Sequence, residues 1–361
     1  MVKKIIFGAQ GYALGTYNAL TTLYPEQGVE CFLVSSLKGN ASMLGGKPVV
    51  EVEPFSAGLS EDEKKAYLIY IATPDNIQDE ITALLDGYGF SNFIKVDSVK
   101  WTELMEGLFK ATGELTTLAS LSSGDKKPVI NYYMAKFYKD KALRNSIDLP
   151  AFIHPLQVGA ALTDVRVSDL VDCEGDNISN KNPNYCELTG LYWIWKNALC
   201  IGEDTDDQYY GLCQYRRVFE FSDEDMGRLV ENGVDVILPY PLPYEPNIHA
   251  HHERYIKDVD WKALLQALRE LQPEYADALD GVLEQRYLYN YNVILAKKKV
   301  LRDYCAWLFP ILERIEELSV PKGADRADRY IGYMGETLET LYFMYNAKWL
   351  NIAYTGCKML V

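Results

Sequence analysis

The chain opens on a short apolar run at residues 3–7, then Gly8, Gly11 and Gly15, then an apolar helical pattern through Leu20 and Leu23. Further short apolar runs recur at 30–35, 49–52, 67–72 and 93–96, and Thr73-Pro74-Asp75-Asn76 starts a helical stretch through Leu85. Short apolar runs bounded by turn residues predict strands buried on both faces, and their alternation with helices predicts a parallel, Rossmann-like sheet. The rhythm breaks at 112–128, which ends in Leu121-Ser122-Ser123-Gly124-Asp125-Lys126-Lys127-Pro128, a small, polar cluster that marks a linker. Two domains are therefore expected, residues 1–125 and 126–361, and a chain starting near Lys126 is expected to fold alone.

Beyond the break a strand starts at Val129, and further strands are predicted at 209–213, 234–238 and 292–296. Helices are predicted at 260–271, 300–318 and 332–349, so the second domain is again mixed α/β. No stretch approaches the roughly 18 apolar residues of a membrane span, and 5–7 is too short for a signal peptide's core. A cytoplasmic protein is expected, at most touching the inner face of a membrane.

Charge narrows the partners. The net charge of −15 argues against nucleic acid, although a local cationic pocket can exist in an acidic chain. Cysteines 31, 173, 186, 200, 213, 305 and 357 are scattered and odd in number, which fits reduced thiols better than a disulfide framework or zinc site. Tyrosine outnumbers phenylalanine, 27 to 12; most tyrosines complete cores, but buried rings with wet hydroxyls also suit a polar ligand.

Candidate chemistry lies in two places. The turn containing Gly8, Gly11 and Gly15 resembles a nucleotide-binding turn. Its spacing departs from Gly-x-Gly-x-x-Gly, and Ser35-Ser36 stands where a dinucleotide site expects an acidic residue, so tight strand-to-helix packing explains the glycines better than a nucleotide or sugar-nucleotide pocket does. The second place is 175–219, where a polar loop feeds an aromatic helix and then a strand ending in Arg216-Arg217. Guanidinium groups match phosphate oxygens in pairs, so Lys181, Arg216 and Arg217 are the phosphate candidates. Adjacent residues of a strand face opposite sides, however, so only one of the two arginines should enter a given face.

Asn184 and Glu187 are spaced as a capping box; Glu187 touching a substrate hydroxyl is the alternative. Leu188, Leu191, Tyr192 and Trp195 form a buried stripe, which leaves Trp193 to face either a ligand or solvent. His249, His251 and His252, Asp206-Asp207, and Asp223-Glu224-Asp225 read first as solvated loops.

The second domain resembles a bacterial family, domain of unknown function 4422, found in capsular and exopolysaccharide biosynthesis clusters. The matching blocks are Pro155 to Ala161, Asp176 to Asn182, Glu187 to Asn197, Gly211 to Arg217, Tyr291 to Ile294, Tyr304 to Phe309, and Arg329 to Glu336. The chain departs from the family pattern at Gln214, where a histidine is usual before Tyr-Arg-Arg, and at Ala135-Lys136, where the family has His-Lys.

The resemblance implies a glycosyltransferase of nucleotide-sugar-binding GT-A-like fold, moving a hexose such as galactofuranose from a nucleotide donor, UDP-linked, to a saccharide or lipid-linked acceptor. The set it implies around the donor is Lys136, Gln157, Gly159, Asn177, Lys181, Asn182, Glu187, Tyr215, Asn292 and Arg329, with Arg216 and Arg217 at the diphosphate. Glu336 is the candidate acceptor-activating base, a salt bridge to Arg329 being its structural alternative. No Asp-x-Asp follows the strand ending at Cys213, so a mechanism without metal or other cofactor is expected. A non-catalytic sugar-binding protein and a nicotinamide-dependent oxidoreductase are the other readings.

Overall fold

The computed structural model describes residues 3–143, 148–326 and 328–360, and two sheets organise them. In the first, β1 (Lys3–Phe7), β2 (Val29–Val34), β3 (Met43–Leu44), β4 (Lys47–Glu51), β5 (Tyr67–Ile71) and β6 (Phe93–Lys95) run in the order β3-β4-β2-β1-β5-β6. All pairings are parallel except the β3–β4 hairpin. Residues Lys4 to Phe7 are all buried, as a central parallel strand requires. Helix Ser98–Thr112 starts where the Asp97 carboxylate accepts from the Lys100 N–H, at 2.8 Å, and stops at Gly113 in the left-handed region.

The second sheet is mixed. It contains β7 (Val129–Lys136), β8 (Ile153–Gln157), β9 (Leu170–Val171), β10 (Gln208–Gln214), β11 (Arg217–Val218), β12 (Val236–Pro239), β15 (Ile294–Lys297), β16 (Ile352–Thr355) and β17 (Lys358–Met359). Strands β13 (Leu242–Pro243) and β14 (Tyr287–Leu288) pair separately. The main path is β16-β12-β15-β10-β7-β8-β9, parallel through β10-β7-β8-β9 and antiparallel where β15 joins β10 and β12. The α/β class thus follows the sequence pattern.

The hydrophobic core does not break there. One cluster runs from Leu14, Trp101 and Phe109 to Tyr240, Leu242 and Tyr354. Phe109 stacks on Tyr240 with ring centroids 5.6 Å apart. Polar links accompany this packing: Met359 N–H donates to Ser98 Oγ at 2.9 Å, Gly45 N–H to Glu245 Oε2 at 2.8 Å, and Tyr354 N–H to Thr116 O at 2.9 Å. The first sheet's last strand ends at Lys95 and the second sheet's first begins at Val129, but the two share buried surface that neither covers alone.

Three local expectations need correction. The run at 49–52 ends as a strand at Glu51, and helix Val52–Ala57 follows directly. Asp223-Glu224-Asp225 forms the first turn of helix Asp223–Glu231, because Ser222 and Asp225 make a capping box and acidic side chains complement the helix N-terminus. The histidine segment is helix Ile248–His252 rather than a solvated loop. His251 stacks on Tyr244 at 3.6 Å, and buried His252 meets Thr337 Oγ1 at 3.1 Å. Burial pushes His251 down to about 4 and His252 down to about 3. Among the described residues no helix is long and apolar enough to cross a membrane.

Candidate active cleft

Strand β10 ends at Gln214 and the chain reverses at once, so that Gln214 pairs with Arg217 and Tyr215-Arg216 form the turn. A continuous strand would have sent the two arginines to opposite faces. The reversal cancels that alternation, and both line one cleft of about 510 Å³ together with Ala135, Asp140, Glu187, Gln214, Tyr215 and Arg329. The turn is anchored from behind by Leu360 N–H on Arg216 O, at 2.7 Å.

Neither arginine has a carboxylate within ion-pair distance among the described residues, and the Nε of each is buried without a hydrogen-bond partner. Arg216 lies over the Tyr215 ring and Arg217 over the Tyr291 ring, 4.9 and 3.8 Å from the centroids. Rings orient a guanidinium without neutralising it, so the cleft keeps two directed positive charges.

Opposite them stands Glu187. Its Oε1 accepts from Asn292 Nδ2 at 2.9 Å and Gln214 Nε2 at 3.2 Å, and its Oε2 lies 3.8 Å from Arg329 Nη2. Gln214 is the hub: Nε2 also donates to Tyr291 O at 2.9 Å, and Oε1 accepts from Arg217 Nη1 at 3.0 Å. The residue that departs from the family pattern therefore ties the carboxylate to the cation. Cys186, Tyr291 and Asn292, with φ of 53°, 78° and 49°, are the non-glycine residues of positive φ among the described residues, and all three touch this network. Such conformations persist where packing over-determines them and cluster at functional sites.

The capping box expected of Asn184 and Glu187 does not form. Helix Asn182–Tyr185 ends at Cys186, whose left-handed φ resets the chain before helix Leu188–Trp193. Asn184 donates to Arg326 O and Asp328 O instead, and Glu187 is released to the cleft.

Glu336, the expected base, does not line the cleft. Helix Tyr330–Asn346 is drawn close through Gly335, where an added Cβ would lie 2.7 Å from Leu188 and 3.0 Å from Asn292 Oδ1. This places Glu336 behind Glu187, where its Oε2 accepts from Asn290 Nδ2 at 3.3 Å. Burial first, and the Glu187 carboxylate second, push Glu336 up to about 8, so it holds its proton at neutral pH. The expected pairing with Arg329 is absent because Arg329 turns to Glu187 and to Cys186 Sγ, 3.0 Å away.

Several expected donor contacts are structural. Lys181 points away from the arginines into an ion pair with Glu316 at 2.7 Å. Gln157, fully buried, clamps its own loop through Val165 O and Val167 N. Asn177 closes a turn onto Cys173 O and Gly175 O. Gly159 has φ +64°, and a Cβ there would press on Asn182 at 2.9 Å; Asn182 borders the cleft but spends its amide on Cys186 O and Thr189. Lys136 opens onto a separate groove with Tyr133, His154 and Trp193, and the Trp193 indole N–H donates to Glu174 O.

The sequence reading missed Asp172, wholly buried and accepting from the N–H groups of Gly159 and Ala160 and the hydroxyls of Ser179 and Thr189, at 2.5 to 3.0 Å. It also missed Tyr291 and Asp140. Only the polar residue directly after β9 signalled the first of these.

The glycine turn of the first sheet is closed. A Cβ at Gly8 would meet Ala72 O at 2.6 Å, one at Gly11 would meet Leu242 Cβ at 2.9 Å, and one at Gly15 would run into the Trp101 ring. All three glycines serve close packing.

A family model described as "Domain of unknown function (DUF4422)" matches residues 141–347. The chain belongs to this family. The DUF4422 segment contains Glu187, Gln214 to Arg217, Tyr291, Asn292, Arg329 and Glu336, while the first sheet lies outside it. No curated protein matches the chain. A solved structure described as the apo form of the WbbM bifunctional glycosyltransferase is 26% identical, with a TM-score of 0.51 over 64% of this chain and 45% of that one. The chain therefore spans less than half the length of that structural relative.

Proposed function

We propose that this DUF4422 protein is a glycosyltransferase that takes its sugar from a nucleoside diphosphate donor bound against Arg216 and Arg217. The observation that carries the reading is the pair of guanidinium groups converging on one cleft, with no carboxylate at ion-pair distance among the described residues, in a chain of net charge −15. The relative described as a glycosyltransferase supports the same reading. As the bond from the anomeric carbon to the diphosphate oxygen breaks, negative charge collects on the leaving phosphate, and preorganised cations lower its energy.

Glu187 is the proposed base in place of Glu336. It borders the cleft, its hydrogen bonds fix its orientation, and it can accept the proton of an acceptor hydroxyl as that oxygen attacks the sugar. Glu336 and its retained proton behind it spare Glu187 a second negative charge. A UDP-linked hexose, galactofuranose among the candidates, and a saccharide or lipid-linked acceptor in capsular or exopolysaccharide synthesis are the substrates the family resemblance favours. The fold of the second unit is proposed to be of the GT-A type, with arginines taking the part a metal plays elsewhere.

Titration calorimetry with UDP tests the donor site. Wild type is expected to bind, and Arg216→Ala or Arg217→Ala to lose most of that binding. Unchanged binding in both variants would overturn the assignment. Transfer or donor hydrolysis is expected to survive chelator; activity that disappears with chelator and returns with manganese would overturn the metal-independent mechanism.

A further inference from the structure

Strands β7 and β10 run parallel with Ala135 opposite Gln214, so the chain leaves both at the same end of the sheet. Ligands of parallel strands sit beyond such carboxyl ends. After β10 comes the Tyr215-Arg216 turn; after β7, beside it, a turn through Tyr138 and Lys139 brings Asp140 to the cleft. That second turn closes on itself twice. Asp140 N–H donates to Phe137 O at 2.9 Å, and Phe137 N–H donates to Asp140 Oδ2 at 2.7 Å. The carboxylate is thereby held in one orientation, half-buried, on the cleft wall. Its Oδ1 has no hydrogen-bond partner, and no cation stands at ion-pair distance, among the described residues.

The carboxylates that line the cleft belong to different arginines. Glu187 is tied to Arg217 through Gln214 and faces Arg329. Asp140 stands in the turn next to Arg216. A diphosphate laid across both arginines then directs its sugar toward Glu187 and its nucleoside toward Asp140. A phosphate set against Asp140 would bring two anions together, so this end suits an uncharged part of the donor that carries hydroxyl groups. Burial pushes Asp140 above the ordinary carboxylate value, restrained by the Phe137 N–H and by the charges of Lys136 and Arg216, and further donors would favour its charged form. The vicinal 2′ and 3′ hydroxyls of a ribose are such donors, and an acidic side chain on the ribose is a recurrent solution in nucleotide sites. Phe137 and Tyr215 line the same cleft with rings on which a base can stack.

We infer that Asp140 is the ribose-binding residue of the donor site, accepting from the 2′ and 3′ hydroxyls, and that the cleft therefore selects ribonucleoside diphosphate donors over their 2′-deoxy counterparts. The inference rests on the proposed diphosphate site. Its content is separate: the arginines hold any diphosphate, and Asp140 decides which pentose comes with it.

The test is titration calorimetry of the full chain with UDP, 2′-deoxy-UDP and inorganic pyrophosphate. Wild type should bind 2′-deoxy-UDP about tenfold more weakly than UDP, the size expected for a lost hydrogen bond to a charged group. Asp140→Ala should bind the two nucleotides equally. Asp140→Asn keeps an acceptor for the Phe137 N–H and should retain a smaller preference, since a neutral hydrogen bond is weaker than a charged one. Pyrophosphate should bind both variants at least as tightly as wild type, because an anion has been removed from its surroundings; a turn that merely shaped the Arg216 side of the cleft would weaken pyrophosphate and UDP alike. Equal affinity for the two nucleotides in wild type, pyrophosphate binding without UDP binding, or an undiminished preference in the variants would overturn the inference while leaving the diphosphate site standing. A wild-type protein that binds neither UDP nor pyrophosphate would overturn the diphosphate reading itself.

Discussion

Two strand edges in this molecule start from the same ingredients and end differently. At the carboxyl end of β1, Gly8 leads into a helix that carries Gly11 and Gly15; at the carboxyl end of β10, the chain passes through Tyr215-Arg216 into β11. The first edge resembles a nucleotide site in sequence, yet its glycines are filled by Ala72, Leu242 and Trp101. The second lacks a familiar phosphate motif, yet it holds two guanidinium groups that have no ion-paired carboxylate among the described residues, beside an open cleft. A backbone that could cradle a phosphate does so only where the surrounding chain leaves the space, and charge without space or space without charge is insufficient.

The sharpest way to break this comparison is to remove the closed edge altogether. A chain starting at Lys126 loses the helices that cover Tyr240, Leu242 and Tyr354, so the separate folding expected from the linker gives way to a different forecast. Such a chain should be insoluble or melt without cooperativity in calorimetry, because burial of several large side chains at roughly 1.5–3 kcal/mol each is lost. A sharp transition near that of the full chain would show that the second unit stands alone.

Next in size is the open edge. Arg216→Ala or Arg217→Ala should lower the transfer rate on the order of 100-fold, as loss of one preorganised contact to developing charge does, with the melting temperature little changed. Steady-state kinetics against the donor checks this. The closed edge should respond in the opposite sense. Gly15→Ala drives a methyl into Trp101 and should cost roughly 1–3 kcal/mol in chemical denaturation by overpacking, while NADH should give no thermal shift in either protein.

The smallest effect is a slope. The native state holds a proton on Glu336 up to about pH 8, whereas the unfolded chain releases it near the ordinary carboxylate value. The folded state therefore binds more protons between those values, and its stability falls as pH rises through that window. Glu336→Gln is neutral in both states and escapes the loss. Its melting temperature relative to wild type should rise steadily between about pH 5 and pH 8 in scanning calorimetry, and a constant difference would mean that Glu336 is ionised in the native protein.

Much of this was legible from residue order. Apolar runs at 3–7, 30–35 and 67–72 became β1, β2 and β5 because a strand buried on both faces carries its signal in consecutive residues. The family blocks and Arg216-Arg217 marked the region of the cleft for the same reason, since chemistry carried by neighbours in sequence survives in the sequence. What the tertiary structure alone decided is where side chains aim. A tight reversal after Gln214 put both arginines on one side. A left-handed Cys186 freed Glu187, a close-packed helix set Glu336 behind it, and Glu316 drew Lys181 away. Each of these depends on a partner many residues distant or on a single backbone angle. Local hydrophobic period encodes neither, so the elements could be read along the chain while the site had to be read in space.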